Sequence, residues 1–102
     1  MPEYRIEFLP SAWQDLNKIA DLHLQLVGAE SAERITDEIL DAIDGLSRFP
    51  YMGALHPDPV LARMEYRKLV CRKYVAVYRV MESTVYLYRI VNGITDYPKL
   101  FY

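Results

Sequence analysis

The chain opens on a strict alternation. In residues 3–9, Tyr4, Ile6 and Phe8 point one way and Glu3, Arg5 and Glu7 the other. This period of two predicts a half-buried strand. Pro10 ends it. Ser11 followed by Gln14 has the spacing of a capping box, in which the serine oxygen accepts one orphan N–H and the glutamine reaches back. The period then lengthens: Trp13, Leu16, Ile19/Ala20, His23 and Leu26/Val27 recur at helical spacing. Gly28 suits the left-handed residue that stops such a helix. A second helix comes next, with Ile35, Ile39, Ala42/Ile43 and Leu46 as its apolar stripe and Glu30, Glu33, Asp37, Glu38, Asp41 and Asp44 as its wet face. A connection this short makes the two helices antiparallel. Pro50 closes the second.

Residues 50–63 carry Gly53, Pro57, Asp58 and Pro59 and read as a loop. Three strands are predicted beyond it, at about 65–71, 74–80 and 84–91. Arg72-Lys73 and Glu82-Ser83 stand where two-residue hairpin loops belong. Neither has the glycine such turns prefer, which leaves room for longer loops. Gly93, Asp96 and Pro98 punctuate a short tail. The order β-α-α-β-β-β describes a single α+β domain over residues 1–102, a helical hairpin (residues 11–49) packed on one face of an antiparallel sheet.

Two-residue turns would set Val70 opposite Val75 and Val80 opposite Val85, and side chains alternate from there. The helix-facing side then carries Leu69, Cys71, Ala76, Tyr78, Val80, Val85, Leu87 and Val91, with Arg67 and Arg89 among them. The outer side carries Tyr66, Lys68, Val70, Val75, Val77, Arg79, Tyr86, Tyr88 and Ile90. A solvated sheet face is normally polar. This one is apolar, aromatic and cationic, as interaction surfaces are. The alternative is that the tail or residues 51–64 fold back over it.

Composition bounds the chemistry. The 102 residues are 52% apolar and 25% charged, an ordinary globular balance for one domain with a small core. Such a core leaves little room for an internal cofactor pocket, and none is expected. Cys71 is the single cysteine, and His23 and His56 lie far apart without a nearby Cys, so no disulfide and no metal site are expected. Cys71 reads as a small buried hydrophobe, and His23, on an apolar stripe, as a packed and hydrogen-bonded histidine. The N-terminus, Met-Pro-Glu-Tyr-Arg, has no apolar signal region, and no stretch is long enough to span a bilayer, so a cytoplasmic chain is expected.

The net charge of −2 hides a split. Residues 1–50 hold four Lys/Arg against ten Asp/Glu, a net of −6, and residues 51–102 hold eight against four, a net of +4. The positive half also holds Tyr66, Tyr74, Tyr78, Tyr86, Tyr88, Tyr97 and Tyr102. Cations interleaved with aromatics bind phosphate backbones and stack on bases; they equally receive an acidic peptide. Tyr66, Lys68, Arg72, Lys73, Arg79, Tyr86 and Tyr88 are therefore the candidate partner- or nucleic-acid-binding residues.

Four short motifs in fixed order carry a family resemblance: Phe49-Pro50 with Gly53, Arg67-Lys68-Leu69, Tyr74-x-x-x-Tyr78, and Arg89-Ile90 with Gly93 and Asp96. With the element order, they make the chain resemble the RelE/ParE toxins of bacterial type II toxin–antitoxin modules over nearly its whole length. The resemblance implies a role in plasmid or chromosome stabilisation, a co-encoded antitoxin partner whose C-terminal segment wraps the toxin, and growth inhibition through one of two targets; a homo-oligomer is compatible with it. RelE-like members cut mRNA in the ribosomal A site without a metal. ParE-like members poison DNA gyrase. A third possibility is a decayed member that only binds its antitoxin.

The nuclease route needs a base for the 2′-hydroxyl, an acid for the leaving oxygen and cations around the phosphate. By resemblance, Lys68 stands where RelE-like enzymes place a strand lysine, Arg79 shares its face, and Tyr97 is the candidate tail aromatic; Lys68, Arg79 and Tyr97 form the catalytic set if the chain is a nuclease. The departures favour the gyrase reading. Val75 stands where RelE-like nucleases carry an arginine, and the tail reads Gly93-Ile94-Thr95-Asp96 where the family often has Gly-Arg-Arg-Asp.

Overall fold

A computed structural model describes residues 3–102; Met1 and Pro2, the first residues read for a signal segment, lie outside the described residues. Strand β1 (Arg5–Phe8) leads into α1 (Pro10–Leu26) and α2 (Ala29–Asp44), which tightens into a 3-10 turn, Gly45–Ser47. Then come β2 (Ala54–Leu55), α3 (Pro59–Arg63), β3 (Arg67–Cys71), β4 (Tyr74–Met81), β5 (Thr84–Asn92) and a 3-10 turn, Tyr97–Phe101. The expected β-α-α-β-β-β framework is present. Two short elements interrupt what the sequence presented as a loop. One is β2, which pairs with Lys68 and Arg67 at the sheet edge. The other is α3, started by Asp58, whose Oδ1 accepts the N–H groups of Val60 (2.9 Å) and Leu61 (3.1 Å), with Pro59 at the first helical position.

The strands lie in the order β1-β5-β4-β3-β2. Strands β2 to β5 are antiparallel neighbours, whereas β1 runs parallel to β5. A parallel pair needs a long crossover, and the helical hairpin begins that route by carrying the chain from one edge of the sheet to the other.

The helix starts differ from the expected pattern. The α1 N-cap is Leu9, without a side-chain bond, and Pro10 occupies the first turn, where its missing N–H costs nothing. Ser11 therefore lies inside the helix, and its hydroxyl donates to the Tyr88 carbonyl at 2.8 Å instead of forming a capping box. The buried stripe of α1 is Ala12, Asp15, Leu16 and Ile19, while Trp13, Leu26 and Val27 are exposed. Trp13 stacks on Phe8 at 4.3 Å on the rim, leaving the inward position to Asp15. Helix α2 buries Ile35, Ile39 and Ile43, with Leu46 beyond it, as its pattern requires. Between the helices Gly28 has φ 141° and ψ 175°, an extended positive-φ conformation rather than the left-handed helical one.

Both hairpin loops are two residues long. Each places a non-glycine residue, Arg72 or Glu82, at φ 57°. The β4–β5 register shifts once: Val77 faces Arg89 but Tyr78 faces Leu87, so β5 carries one extra residue. This bulge re-aims the residues beyond it. Ile90, expected on the outer face, is 2% exposed in the core beneath the helices, and Val91, expected inside, packs against the outer cluster.

The main core lies between the helices and the sheet, built on Leu16, Ile39, Ile43, Tyr78, Val85 and Leu87. A second core lies on the opposite face, where Leu61 from α3 and Tyr97 from the tail close over Tyr66, Val75 and Val77. The outer face is thus largely covered, by the tail and by the segment before β3, which is the alternative the sequence left open.

Candidate functional site

The outer face is laid out in cross-strand rows. Arg79 pairs with Tyr86, and Tyr86 with Glu7; Lys68 pairs with Val77; Val70 pairs with Val75, and Val75 with Val91. Tyr66 precedes β3 and is buried, with its ring edge-on to Tyr88 at 5.0 Å and against Phe101 at 4.9 Å. The Arg79 guanidinium lies 5.1 Å from the Tyr66 ring and 5.9 Å from the Tyr88 ring. Of the residues singled out from sequence, the fold brings together Tyr66, Arg79, Tyr86 and Tyr88, with Lys68 one row away. Tyr66 does not offer an open stacking surface, because both the tail and Tyr88 are already on it. Burial raises its phenol pKa, with a further push from Tyr88 that Arg79 partly offsets.

Arg72 and Lys73 are elsewhere. They form the β3–β4 turn, at the opposite end of β4 from Arg79. Arg72 is spent on Glu38 of α2 through a two-pronged contact of 2.6 and 2.8 Å, which holds the Glu38 carboxyl below its usual range. Lys73 lies 5.6 Å over the Tyr74 ring. Tyr74 in turn meets His23 Nε2 at 3.0 Å, while His23 Nδ1 meets Ser31 Oγ at 3.2 Å, so His23 is the packed, hydrogen-bonded histidine its position suggested.

Tyr97 is held by a residue that sequence reasoning passed over. His56, 4% exposed, meets the Tyr97 hydroxyl at 2.7 Å through Nε2, and its Nδ1 accepts the Asp58 N–H at 3.0 Å. The second bond makes Nδ1 an acceptor, so Nε2 carries the proton and donates to Tyr97. Burial holds the imidazole pKa below 6.5, Lys68 lowers it further, and Asp58 opposes them. Burial also raises the Tyr97 phenol pKa, with help from Asp58. Asp58 accepts from the Tyr102 hydroxyl as well, at 3.0 Å, so one loop anchors the tail twice. The signal for this loop was Asp58-Pro59, a cap followed by proline at the first helical position, which is a helix start as much as a breaker.

Of the residues a nuclease would use, Tyr97 is bonded to His56, close to which Lys68 stands, and Arg79 lies over Tyr66. The Tyr97 hydroxyl is buried against His56; Val75 is buried beneath the tail; Ile94 is 90% exposed and Thr95 turns back to the Asn92 carbonyl. Among the described residues no helix is long and apolar enough to cross a membrane. One exposed apolar surface lies after α2, where Phe49, Tyr51 and Met52 line an open groove of about 590 Å³ beside Arg48.

The motif residues Pro50 and Gly53 have a structural duty. The Tyr78 hydroxyl, fully buried, donates to the Pro50 carbonyl at 2.8 Å and accepts the Gly53 N–H at 3.0 Å. A Cβ on Gly53 would stand 2.5 Å from the Lys68 carbonyl and 2.7 Å from the Tyr78 hydroxyl. The clamp seats β2 against β3.

Known proteins agree with this architecture. The chain superposes on a chain of the chromosomal ParDE toxin–antitoxin system from P. aeruginosa with TM-score 0.76 at 24% identity, covering 88% of this chain and 96% of that one. It matches a chain of the RelBE2 toxin–antitoxin complex from Mycobacterium tuberculosis with TM-score 0.66 at 22% identity, covering 88% and 98%. These likenesses concern the fold. No curated protein sequence matches the chain. The family model for the ParE toxin of the type II toxin–antitoxin system parDE matches residues 6–97, nearly the full length. The chain belongs to the ParE toxin family.

Proposed function

We propose that this toxin is a ParE-like inhibitor of DNA gyrase, held inactive by a co-encoded antitoxin and serving to stabilise the replicon that carries it. The observation that carries this reading is the state of Tyr97, the candidate tail aromatic of an RNA-cleaving site: the residue is 7% exposed and its hydroxyl is occupied by His56. The missing cations at Val75, Ile94 and Thr95 add to it. A cation on the developing charge of a phosphorane is worth several kcal/mol in a preorganised site. Losing even two of these three cations is expected to lower RNA cleavage by roughly 10⁴-fold or more, allowing for non-additivity. Lys68 and Arg79 do not compensate: Lys68 is half-buried beside His56, and Arg79 is packed among tyrosines. Gyrase inhibition needs a protein-binding surface and no catalytic set. The neighbours of this fold are toxin–antitoxin complexes, which supports an antitoxin as a partner.

The test pairs two assays on purified chain. Inhibition of gyrase supercoiling, with no codon-positioned cleavage on programmed ribosomes, is the expected result. Prompt A-site cleavage that disappears in Lys68→Ala would overturn it in favour of the RelE-like nuclease. Failure in both assays would leave only antitoxin binding.

A further inference from the structure

Arg79 is treated unlike the other arginines that lie against the fold. Arg67 donates to the Gly53 and Tyr51 carbonyls, Arg72 to both oxygens of Glu38, and Arg89 to both oxygens of Asp15. The Arg79 Nε is buried and has no hydrogen-bond partner among the described residues. A buried donor left unmade is costly, and the cation–π contacts with Tyr66 and Tyr88 return only part of that cost. An unsatisfied group of this kind calls for a reason. Both rings lie to one side of the guanidinium, their centroids being only 5.0 Å apart, and of its nitrogens Nε alone is buried without a partner, so the Nη1–Nη2 end is the fork left to bind a carboxylate through two parallel N–H···O bonds.

We propose that Arg79 is the anchor for a single Asp or Glu carboxylate on the antitoxin, which completes the guanidinium beside Tyr66 and Tyr88. The proposal rests on the reading that the chain binds a co-encoded antitoxin. Arg79 as a residue is half-buried, so its Nη end is met at the surface while the contacts with Tyr66 and Tyr88 stay in place. The surroundings favour one carboxylate over a phosphate backbone. A backbone needs several unspent cations in a line. Here Arg72 and Arg89 are neutralised internally, and Glu7 stands in the same cross-strand row as Arg79, two strands away.

The experiment uses the full chain and the protein encoded by the adjacent reading frame, with affinity read by calorimetry. Arg79→Lys keeps the charge and removes the planar fork; it is expected to weaken binding about 10-fold, and Arg79→Gln about 100-fold, with unfolding midpoints close to that of the parent chain. The ¹⁵Nε resonance of Arg79 in the parent chain, which needs no variant to fold, is expected to shift on complex formation as a new acceptor arrives. Parent-like affinity in both variants, or an unmoved Nε resonance, would overturn the anchor and leave the antitoxin reading intact. Failure of the parent chain to bind would sink that reading and the anchor with it. Parent-like antitoxin binding in Arg79→Gln, with lost affinity for a single-stranded RNA oligomer, would make the acceptor a phosphate and also overturn the proposal.

Discussion

Asp15 on α1 holds Arg89 on β5 through two contacts, Oδ2 to Nε at 2.7 Å and Oδ1 to Nη2 at 3.0 Å, and the same Oδ2 accepts the Ile90 N–H at 2.9 Å. The pair sits at the β5 bulge, where backbone N–H groups lose their regular ladder partners. It thereby docks the first helix onto the sheet at the point where the sheet is least regular. Breaking a buried pair by removing one partner costs about 3–5 kcal/mol. Arg89 keeps about a quarter of its side chain in water, so the lower end applies. Asp15→Asn is expected to lower unfolding free energy by about 2–3 kcal/mol in urea titrations. A change below about 0.5 kcal/mol would show that the pair is an incidental contact.

His56 makes stability fall on mild acidification. Its folded pKa lies below the ordinary 6.5, so between those two values the unfolded chain binds more protons than the folded one. Stability is full above about pH 6.5 and is lost as pH falls toward the depressed value. Protonated Nδ1 also loses the Asp58 N–H bond. Asp58 and Glu38 have lowered carboxyl pKa values, so their contributions fade only in stronger acid, at and below their ordinary values of 3.8 and 4.5. The melting midpoint should therefore drop between pH 7 and 5 in the parent chain, and the slope should flatten in His56→Gln. An equal slope in both would assign the effect to other groups.

Tyr97→Phe separates a structural role from a catalytic one. Removing the hydroxyl leaves the His56 Nε2–H buried without its acceptor, a loss of about 1–3 kcal/mol. Toxicity in cells, measured below the new melting midpoint, is expected to persist. Abolished toxicity in a variant that is still folded would return Tyr97 to the working residues.

The Tyr78 clamp predicts intolerance at Gly53. An alanine Cβ there meets backbone and a fully buried phenol, neither of which can give way cheaply. Gly53→Ala is expected to cost about 1–3 kcal/mol through overpacking. Tyr78→Phe, which frees the same space but drops both hydrogen bonds, should cost a similar amount. Parent-like denaturation midpoints for both would mean that β2 is dispensable.

Glu82 takes φ 57° in a two-residue turn, a conformation that costs a side-chain-bearing residue about 1–2 kcal/mol. Glu82→Gly is expected to raise stability by about 1 kcal/mol net of glycine's greater unfolded-state freedom. A lower melting midpoint would show that Glu82 makes contacts that outweigh the strain.

The local patterns were sufficient by themselves for the framework. Period two in β1, period 3.6 in α2 and the placement of Arg72-Lys73 and Glu82-Ser83 at the turns all come from short-range sterics and from which side chains must leave water. The motifs that carried the family resemblance likewise sit in local order along the chain. Tertiary structure decided whatever is set by residues distant in sequence. Asp15 reads as a wet helix position until Arg89, 74 residues later, reaches it. The exchange of Ile90 and Val91 depends on a bulge that no alternation announces. Tyr97 stands out in sequence only as a tail aromatic and His56 not at all as its partner; they meet because the tail closes over the sheet. That same closure buries Tyr66 and leaves the Arg79 Nε buried beside two tyrosine rings without an acceptor among the described residues. Side-chain periodicity reports which face of an element is apolar; it is silent on what covers that face, because the cover is chosen by the global packing of the chain.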